Sequence, residues 1–293
     1  MEKEIQEFTE YLETVKRLSR NTVLSYRGDL IKMAAYLQLQ GIARAADVSA
    51  TALSSYVLDM EKKGMSAATI SRYVASIKAF FEYLLREHKI AEDPSFSLKP
   101  PKVEKHAPEV LTEQEMECLL AQPSSNRPKE LRDRAMLELL YATGMRVSEL
   151  IALRVEDVNL RFGWLICRDV GRERMIPFGE TAARAMRDYL EKARDTFLKD
   201  GAQPILFLNC SGKPMSRQGF WKLLKGYAAK AGIDKDITPR MFRHSCAAHM
   251  AARGAGLSVI QEILGHTDIA ATQIYAEFQL GMKTEYSKTH PRA

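Results

Sequence analysis

Apolar residues recur every three or four positions through residues 1–92, the spacing that gathers them on one face of a helix. The pattern is interrupted at residues 18–21, near Gly41 and at Gly64, and Ser66 stands where an N-cap residue begins a helix. Four helices are therefore predicted, enough for a small bundle. Their apolar positions include Ile5, Phe8, Leu12, Val15, Val23, Tyr26, Leu30, Met33, Leu37, Ile70, Val74, Ile77, Phe81 and Leu84.

Residues 93–110 differ in composition from the helical segment. They are rich in proline, which stiffens an extended chain and prevents a helix from continuing. We therefore expect a linker between two domains. Its lysines, Lys99, Lys102 and Lys105, are placed to lie along a phosphate backbone, and the alternative of a solvated linker without contacts stays open.

Residues 111–277 predict a second domain in which helices and short strands are mixed. Thr112 and Glu115 have the spacing of a capping box before an apolar helix. Residues 163–167 and 174–177 are typical of the two strands of a hairpin, residues 181–198 of a helix, and residues 205–208 of a further short strand. The predicted fold class is mainly α with a small β-sheet. A short tail, residues 278–293, follows.

Composition narrows the class of protein only modestly. The chain has 293 residues, 46% of them hydrophobic and 27% charged, as expected for two ordinary globular domains. No apolar run is long enough to span a membrane, and the N-terminus lacks the pattern of a signal peptide, so we expect a cytoplasmic protein. The net charge of +6 favours a polyanionic partner such as nucleic acid. The scattered cysteines predict thiols without a metal: Cys118, Cys167, Cys210 and Cys246.

Three segments of the second domain carry candidate chemistry. Arg146 follows a Gly turn at a helix start, where a guanidinium and the helix dipole can both face an anion. Arg240 and Arg243 share one face of a helix that Thr-Pro opens. His266 follows Gly265, and Tyr275 comes nine residues later. Each of these residues alone has an ordinary structural explanation, but their joint occurrence in this order does not.

Together these segments resemble the signature boxes of the tyrosine recombinases, the phage-integrase-like family, and above all its bacterial Xer-like members. The segments are Thr143–Leu150, Arg243–Ser245, and Leu264–His266 with Tyr275 beyond. The resemblance covers essentially the whole chain. It implies a four-helix SAM-like DNA-binding domain at residues 1–92, a linker at residues 93–110, a mixed α/β catalytic domain at residues 111–277, and a tail that docks on a neighbouring subunit.

The same resemblance implies a reaction and the residues that perform it. Duplex DNA is cleaved and rejoined through a 3′-phosphotyrosine, and strands are exchanged through a Holliday junction without metal, ATP or another cofactor. Tyr275 is the implied nucleophile, Arg146 and Arg243 clamp the phosphate, His266 donates to it, and Glu149 supports the first arginine. The expected assembly is a homotetramer, or a heterotetramer with a related recombinase, on two DNA sites.

Two positions depart from the family pattern. Arg240 replaces the usual histidine, and an arginine stays protonated at neutral pH, so it cannot serve as a general base. The hairpin also lacks the usual lysine that protonates the leaving 5′-oxygen, since no lysine lies between Lys129 and Lys192. Arg168 is our candidate for that position, ahead of Arg172, which is also a candidate DNA contact. Either arginine can neutralise the leaving oxygen by charge and hydrogen bonds, but a guanidinium is a poor proton donor, so the proton can come from water.

Three alternatives stay open at this point. The chain can be a type IB topoisomerase, which relaxes DNA without recombining it, or a DNA-binding relative with an impaired active site. The apolar tail residues Leu280, Met282 and Tyr286 can fold back on their own domain rather than dock on a neighbour. The target sequence, and the choice between chromosome-dimer resolution and mobile-element integration, do not follow from the residues.

Overall fold

The computed structural model describes residues 1–102, 108–169, 172–199, 201 and 203–278. The chain divides into two compact units, Met1–Lys105 and His106–Ala293. The helices are α1 Glu2–Thr14, α2 Arg20–Leu39, α3 Ala50–Lys62, α4 Ala67–Arg86, α5 Glu113–Leu120, α6 Pro128–Thr143, α7 Val147–Ala152, α8 Glu180–Lys192, α9 Arg217–Lys230, α10 Pro239–Ala252, α11 Leu257–Leu264 and α12 Ala270–Gln273. Short 3-10 turns cover Ala45–Asp47, Val155–Asp157, Arg194–Phe197 and Ala276–Phe278.

The first unit is the predicted bundle of four helices. The hydroxyl of Ser66 accepts a hydrogen bond from the Thr69 backbone N–H at 3.3 Å, which confirms the predicted N-cap of α4. The apolar faces of α1 to α4 share one buried core, as the periodicity predicts. Val15 departs from the pattern: it lies just past the end of α1 and is 65% exposed, so only the first three apolar positions of that helix are buried.

Part of the predicted linker packs on the first unit. Leu98 belongs to the bundle's buried core, and Ser95 is fully buried, its backbone N–H and hydroxyl both donating to Asp93. Lys99 and Lys102 are exposed, whereas Lys105 lies outside the described residues. This segment is therefore partly anchored rather than extended along its whole length.

The second unit combines helices with one antiparallel sheet. Its strands are β1 Val158–Asn159, β2 Trp164–Asp169 and β3 Arg172–Pro177, in the order β1-β2-β3. The predicted capping box is confirmed, because the Thr112 side chain accepts from the Glu115 backbone while Glu115 accepts from the backbone of Thr112. The hairpin and the fold class, mainly α with a small β-sheet, are also confirmed.

The strand predicted at residues 205–208 is wrong. Ile205 and Leu208 make only isolated bridges, to Arg154 and to Pro214. Leu206 and Phe207 are fully buried, so the apolar run serves the core without joining the sheet. A short apolar run is compatible with either outcome until its neighbours are known.

No helix within the described ranges combines the length and the apolar character that crossing a bilayer requires.

Candidate active site

Arg243 joins all three predicted segments. It lies on α10, and its guanidinium donates to the carbonyl oxygens of Gly144 and Leu264, each at 2.7 Å. Gly144 ends α6 with a positive φ of 56°, and a Cβ there would lie 2.8 Å from the Leu264 side chain. Only glycine permits this approach without strain. The C-terminal turns of α6 and α11 therefore meet at this arginine.

Arg146 is the N-cap residue of α7, as predicted. Its backbone N–H donates to Glu149 at 2.6 Å and its guanidinium to the same carboxylate at 2.9 Å. The Glu149 side chain is only 5% exposed, whereas that of Arg146 is 41% exposed. Glu149 thus holds Arg146 at the surface of the unit.

Arg174 on β3 is a member of this cluster that sequence reasoning missed. Its guanidinium donates to both carboxylate oxygens of Glu149, at 2.9 and 2.8 Å, and to the carbonyl of Ile263 at 3.2 Å. The strand alternation offered a signal, because Arg174 is two residues from the buried Ile176 and therefore on the same face of the sheet. An arginine on the inward face of a strand calls for a buried acidic partner.

Arg168 lies elsewhere on the hairpin. In the sheet register it pairs with Glu173, whereas Cys167 pairs with Arg174, so Arg168 and Arg174 are on opposite faces. The Arg168 guanidinium forms ion pairs with Asp157 and Glu173. The structure therefore brings Arg174, and not Arg168, to Glu149. The backbone of Arg172 begins β3, and its side chain is outside the described part.

His266 follows the left-handed turn at Gly265, where φ is 66°. Its Nδ1 lies 2.8 Å from the Thr272 hydroxyl, which fixes the ring against α12. Burial, followed by the charges of Arg243 and Arg146, lowers the pKa of His266 to about 4. The imidazole is therefore neutral at physiological pH and retains one N–H to donate.

Tyr275 is buried, with 1% of its surface exposed, in a small core that includes Ile260 and Leu264. Its hydroxyl lies 2.5 Å from Nδ1 of His244. Burial raises the pKa of Tyr275 to about 12, although the charges of Arg243 and Arg240 oppose the change. A phenol in this setting needs further stabilisation of its anionic form to act as a nucleophile at neutral pH.

His244 is the second residue that sequence reasoning missed, although it lies inside the Arg243–Ser245 segment. Nε of Arg240 donates to its Nε2 at 3.1 Å. Burial, followed by the charges of Arg240 and Arg243, lowers the pKa of His244 to about 4. The spacing of four residues between Arg240 and His244 was the available signal, since such pairs face each other on a helix. Arg240 is exposed and directed to His244, while Arg243 is directed into the cluster.

The cluster formed by Arg146, Arg174, Arg243 and Glu149 contains three positive charges and one negative charge, so its net charge is positive. Burial, together with the charge of Arg146, lowers the pKa of Arg243 to about 10, so it stays protonated at neutral pH. Burial alone would raise the pKa of Glu149, but hydrogen bonds from Arg174 and from the Arg146 backbone outweigh it and lower the pKa. The remaining positive potential suits a phosphate, which guanidinium groups bind bidentately. Among the described residues, no group of three or more His, Cys, Asp or Glu side chains is arranged to hold a metal ion.

Comparison with known proteins extends over the whole chain. Residues 109–280 match the Phage integrase family, and residues 5–88 match the Phage integrase, N-terminal SAM-like domain. Tyrosine recombinase XerD of Staphylococcus haemolyticus is 40% identical over 295 residues, with 100% of both chains covered. Tyrosine recombinase XerD of Halalkalibacterium halodurans is 41% identical over 292 residues, with 99% of this chain and 98% of the relative covered.

A solved structure supports the fold at lower identity. XerH site-specific recombinase, in a post-cleavage complex with a palindromic difH substrate, superposes with a TM-score of 0.74 over 98% of this chain and 94% of that chain. The two sequences are 18% identical, so this likeness concerns the fold alone.

The fold, the arginine cluster and these matches define the class: the chain belongs to the phage integrase family. Within that family it is a site-specific tyrosine recombinase, an enzyme that transfers DNA strands. The resemblance inferred from the sequence is thereby confirmed, and DNA is its partner.

Proposed function

We propose that this chain cleaves and rejoins duplex DNA at a specific site, with Tyr275 as the nucleophile. Its hydroxyl oxygen attacks the phosphorus, the bond from phosphorus to the 5′-oxygen breaks, and a 3′-phosphotyrosine forms. The phenolic proton leaves as the new bond forms, and the 5′-oxygen takes up a proton as it departs. Because one phosphoester replaces another, rejoining needs no ATP.

The observation that carries this proposal is the pair of hydrogen bonds from Arg243 to Gly144 and Leu264. They support a phosphate site at which Arg146 and Arg243 converge, with His266 two residues beyond Leu264 as a neutral donor. Charge that develops on the phosphate oxygens would meet donors already fixed in place. Such preorganised donors commonly contribute about 3–4 kcal/mol each to the stabilisation of a transition state.

The deciding experiment is covalent trapping on a nicked suicide substrate, from which the cleaved 5′ fragment escapes. The parent protein should accumulate a protein–DNA adduct, and Tyr275→Phe should bind the site and form none. Tyr189→Phe is a matched control, because Tyr189 is equally buried and its hydroxyl donates to a core carbonyl, that of Leu206. An adduct formed by Tyr275→Phe would overturn the assignment, and Tyr286 would be the next candidate.

Analysis of the products separates recombination from its alternatives. Two duplex sites should yield strand-exchanged products through a Holliday junction. The proposed assembly on the two sites is a tetramer of this chain, or of this chain with a related recombinase. Relaxed but unexchanged DNA would support a topoisomerase instead, and binding without an adduct would support an impaired relative. The proposed role, resolution of chromosome dimers or integration of a mobile element, implies that the protein acts on DNA in the cytoplasm.

A hairpin arginine is proposed to neutralise the leaving oxygen by charge and hydrogen bonds, because a guanidinium is a poor proton donor. Arg168 is our candidate, and its ion pairs with Asp157 and Glu173 require that it exchange partners when DNA binds. With a 5′-thio substrate, whose leaving group needs no acid, Arg168→Ala should regain the cleavage rate that it loses on normal DNA. A parental rate on normal DNA would exclude Arg168 from the step.

DNA contacts outside the active site are proposed for the linker lysines and Arg172. Lys99 and Lys102 are exposed, which supports a role in contacting phosphates. Replacing each by Gln should weaken DNA binding uniformly across sequences and reduce its salt dependence, because DNA binding then releases fewer counterions. Lys105 and the proposed tail contacts, Leu280, Met282 and Tyr286, lie outside the described residues. Truncation after residue 280 should spare DNA binding and impair recombination.

A further inference from the structure

Arg240, which stands where the family usually has a histidine, is connected to the buried Tyr275 through His244. Nε of Arg240 donates to Nε2 of His244 at 3.1 Å, and Nδ1 of His244 lies 2.5 Å from the Tyr275 hydroxyl oxygen. All three side chains are therefore in one chain of hydrogen bonds. It runs from an exposed arginine, across one turn of α10, to the hydroxyl of a tyrosine that is 1% exposed.

The arginine decides which nitrogen of His244 carries the proton. A guanidinium has donors and no acceptor, so the Nε2 that faces it must present its lone pair. A neutral imidazole has one N–H, which is then on Nδ1 and points to Tyr275. Burial and the neighbouring arginines keep the pKa of His244 near 4, so the ring is neutral at pH 7.

We propose that Arg240 orients His244 so that its Nδ1–H donates to the Tyr275 oxygen and stabilises the phenolate that attacks the phosphate. This inference rests on the proposed role of Tyr275 as the nucleophile. His244 is then a catalytic residue, because it contacts the reacting atom. Arg240 is a positioning residue that acts through it.

His244 acts as a donor here rather than as a general base. If it accepted the phenolic proton, Nδ1 would have to be bare and Nε2–H would face the N–H of Arg240, two donors in contact. The phenolic proton therefore leaves toward water or an oxygen of the bound phosphate. Within the part of the chain that the structure describes, the other charged or titratable groups near His244 and Tyr275 are Arg243, Cys246 and His266.

The tautomer can be measured without DNA. In ¹⁵N-detected spectra of histidine-labelled full-length protein, His244 should have a protonated Nδ1 and an unprotonated Nε2. Arg240→Met, an exposed substitution of similar length, removes the donor and should return His244 to the common form with the proton on Nε2. A parent protein with Nε2 protonated overturns the proposal.

The kinetic test compares two substitutions at His244. Asparagine can place an amide N–H near the position of Nδ1, whereas phenylalanine keeps the ring and removes every polar atom. On the suicide substrate, His244→Phe should form adduct at least tenfold more slowly at pH 7. The apparent pKa of its rate profile should rise by about one unit or more, because a donor to a charged oxygen is lost. His244→Asn should recover part of the rate, and Arg240→Met should shift the profile in the same direction.

The outcomes separate this inference from the proposed function. If Tyr275→Phe forms an adduct, the nucleophile assignment fails. If Tyr275→Phe forms none while His244→Phe matches or exceeds the parent at every pH, only the hydrogen-bond proposal fails. Equal losses in His244→Asn and His244→Phe, with an unchanged pH profile, also overturn it, because a merely structural role predicts that result. Thermal unfolding of each variant identifies a folding defect, and the Arg240→Met profile then decides.

Discussion

Arg174 offers a sharp test of how the site is held together. Its guanidinium forms two hydrogen bonds with Glu149, whose side chain is 5% exposed, while its own side chain is 15% exposed. Arg174→Gln leaves that carboxylate with Arg146 as its partner and removes the bond to the Ile263 carbonyl. The perturbation thus removes the two hydrogen bonds from Arg174 to Glu149 and leaves those from Arg146 in place.

The expected cost follows from this geometry. Removing one partner of a buried ion pair costs about 3–5 kcal/mol, because the remaining charge is left desolvated. Glu149 keeps two hydrogen bonds from Arg146, so the lower end applies, about 3 kcal/mol. For a unit of this size that lowers Tm by about 6–12 °C. DNA cleavage should also fall by about 10- to 100-fold, since Arg146 is displaced when its supporting carboxylate moves.

A double-mutant cycle separates the ion pair from other effects. Arg174→Gln, Glu149→Gln and the double variant are unfolded in urea at pH 7, with the exposed Arg184→Gln on α8 as the control. The losses of unfolding free energy in the two single variants should not add up to the loss in the double variant. Once Glu149 is replaced by a neutral residue, Arg174→Gln leaves no buried charge without a partner. A cost of Arg174→Gln that equals that of Arg184→Gln, or is the same in both backgrounds, would refute the reasoning.

Gly144→Ala should destabilise the second unit by about 1–2 kcal/mol from its left-handed backbone alone. It should also slow cleavage, because its Cβ would displace Leu264, whose carbonyl oxygen accepts a hydrogen bond from Arg243. Urea unfolding and suicide-substrate kinetics measure the two effects, and an unchanged cleavage rate would contradict the prediction. Stability should fall as pH drops from 6.5 to 4, because the unfolded chain protonates His244 and His266 there and the folded chain, with both pKa values near 4, does not. Urea titrations should find this loss smaller after His266→Asn. Cleavage should persist in excess EDTA because Arg146 and Arg243 supply positive charge, while DNA binding weakens steeply with salt; a strict Mg²⁺ requirement for cleavage would contradict it.

The sequence by itself determined the helical bundle, the hairpin and several residues of the candidate site. Ser66, Thr112 and Gly144 act on backbone groups within a few residues of themselves, so their caps and turns can be predicted from the sequence. The apolar periodicity of residues 1–92 likewise predicts four helices, because a helix brings residues three or four positions apart to one face. The candidate residues Arg146, Arg243, His266 and Tyr275 were identified from their positions near Gly- and Pro-marked helix starts, their order along the chain and the family resemblance.

Only the tertiary structure decided which side chains meet. Arg174 and Glu149 are 25 residues apart, His244 and Tyr275 are 31 apart, and Arg243 and Gly144 are 99 apart. No local pattern encodes such contacts, since they depend on how the hairpin and α10 pack around α7 and the end of α11. Arg168 and Arg174 illustrate the point: both are hairpin arginines, and the register of β2 against β3 alone gives one to Asp157 and the other to Glu149.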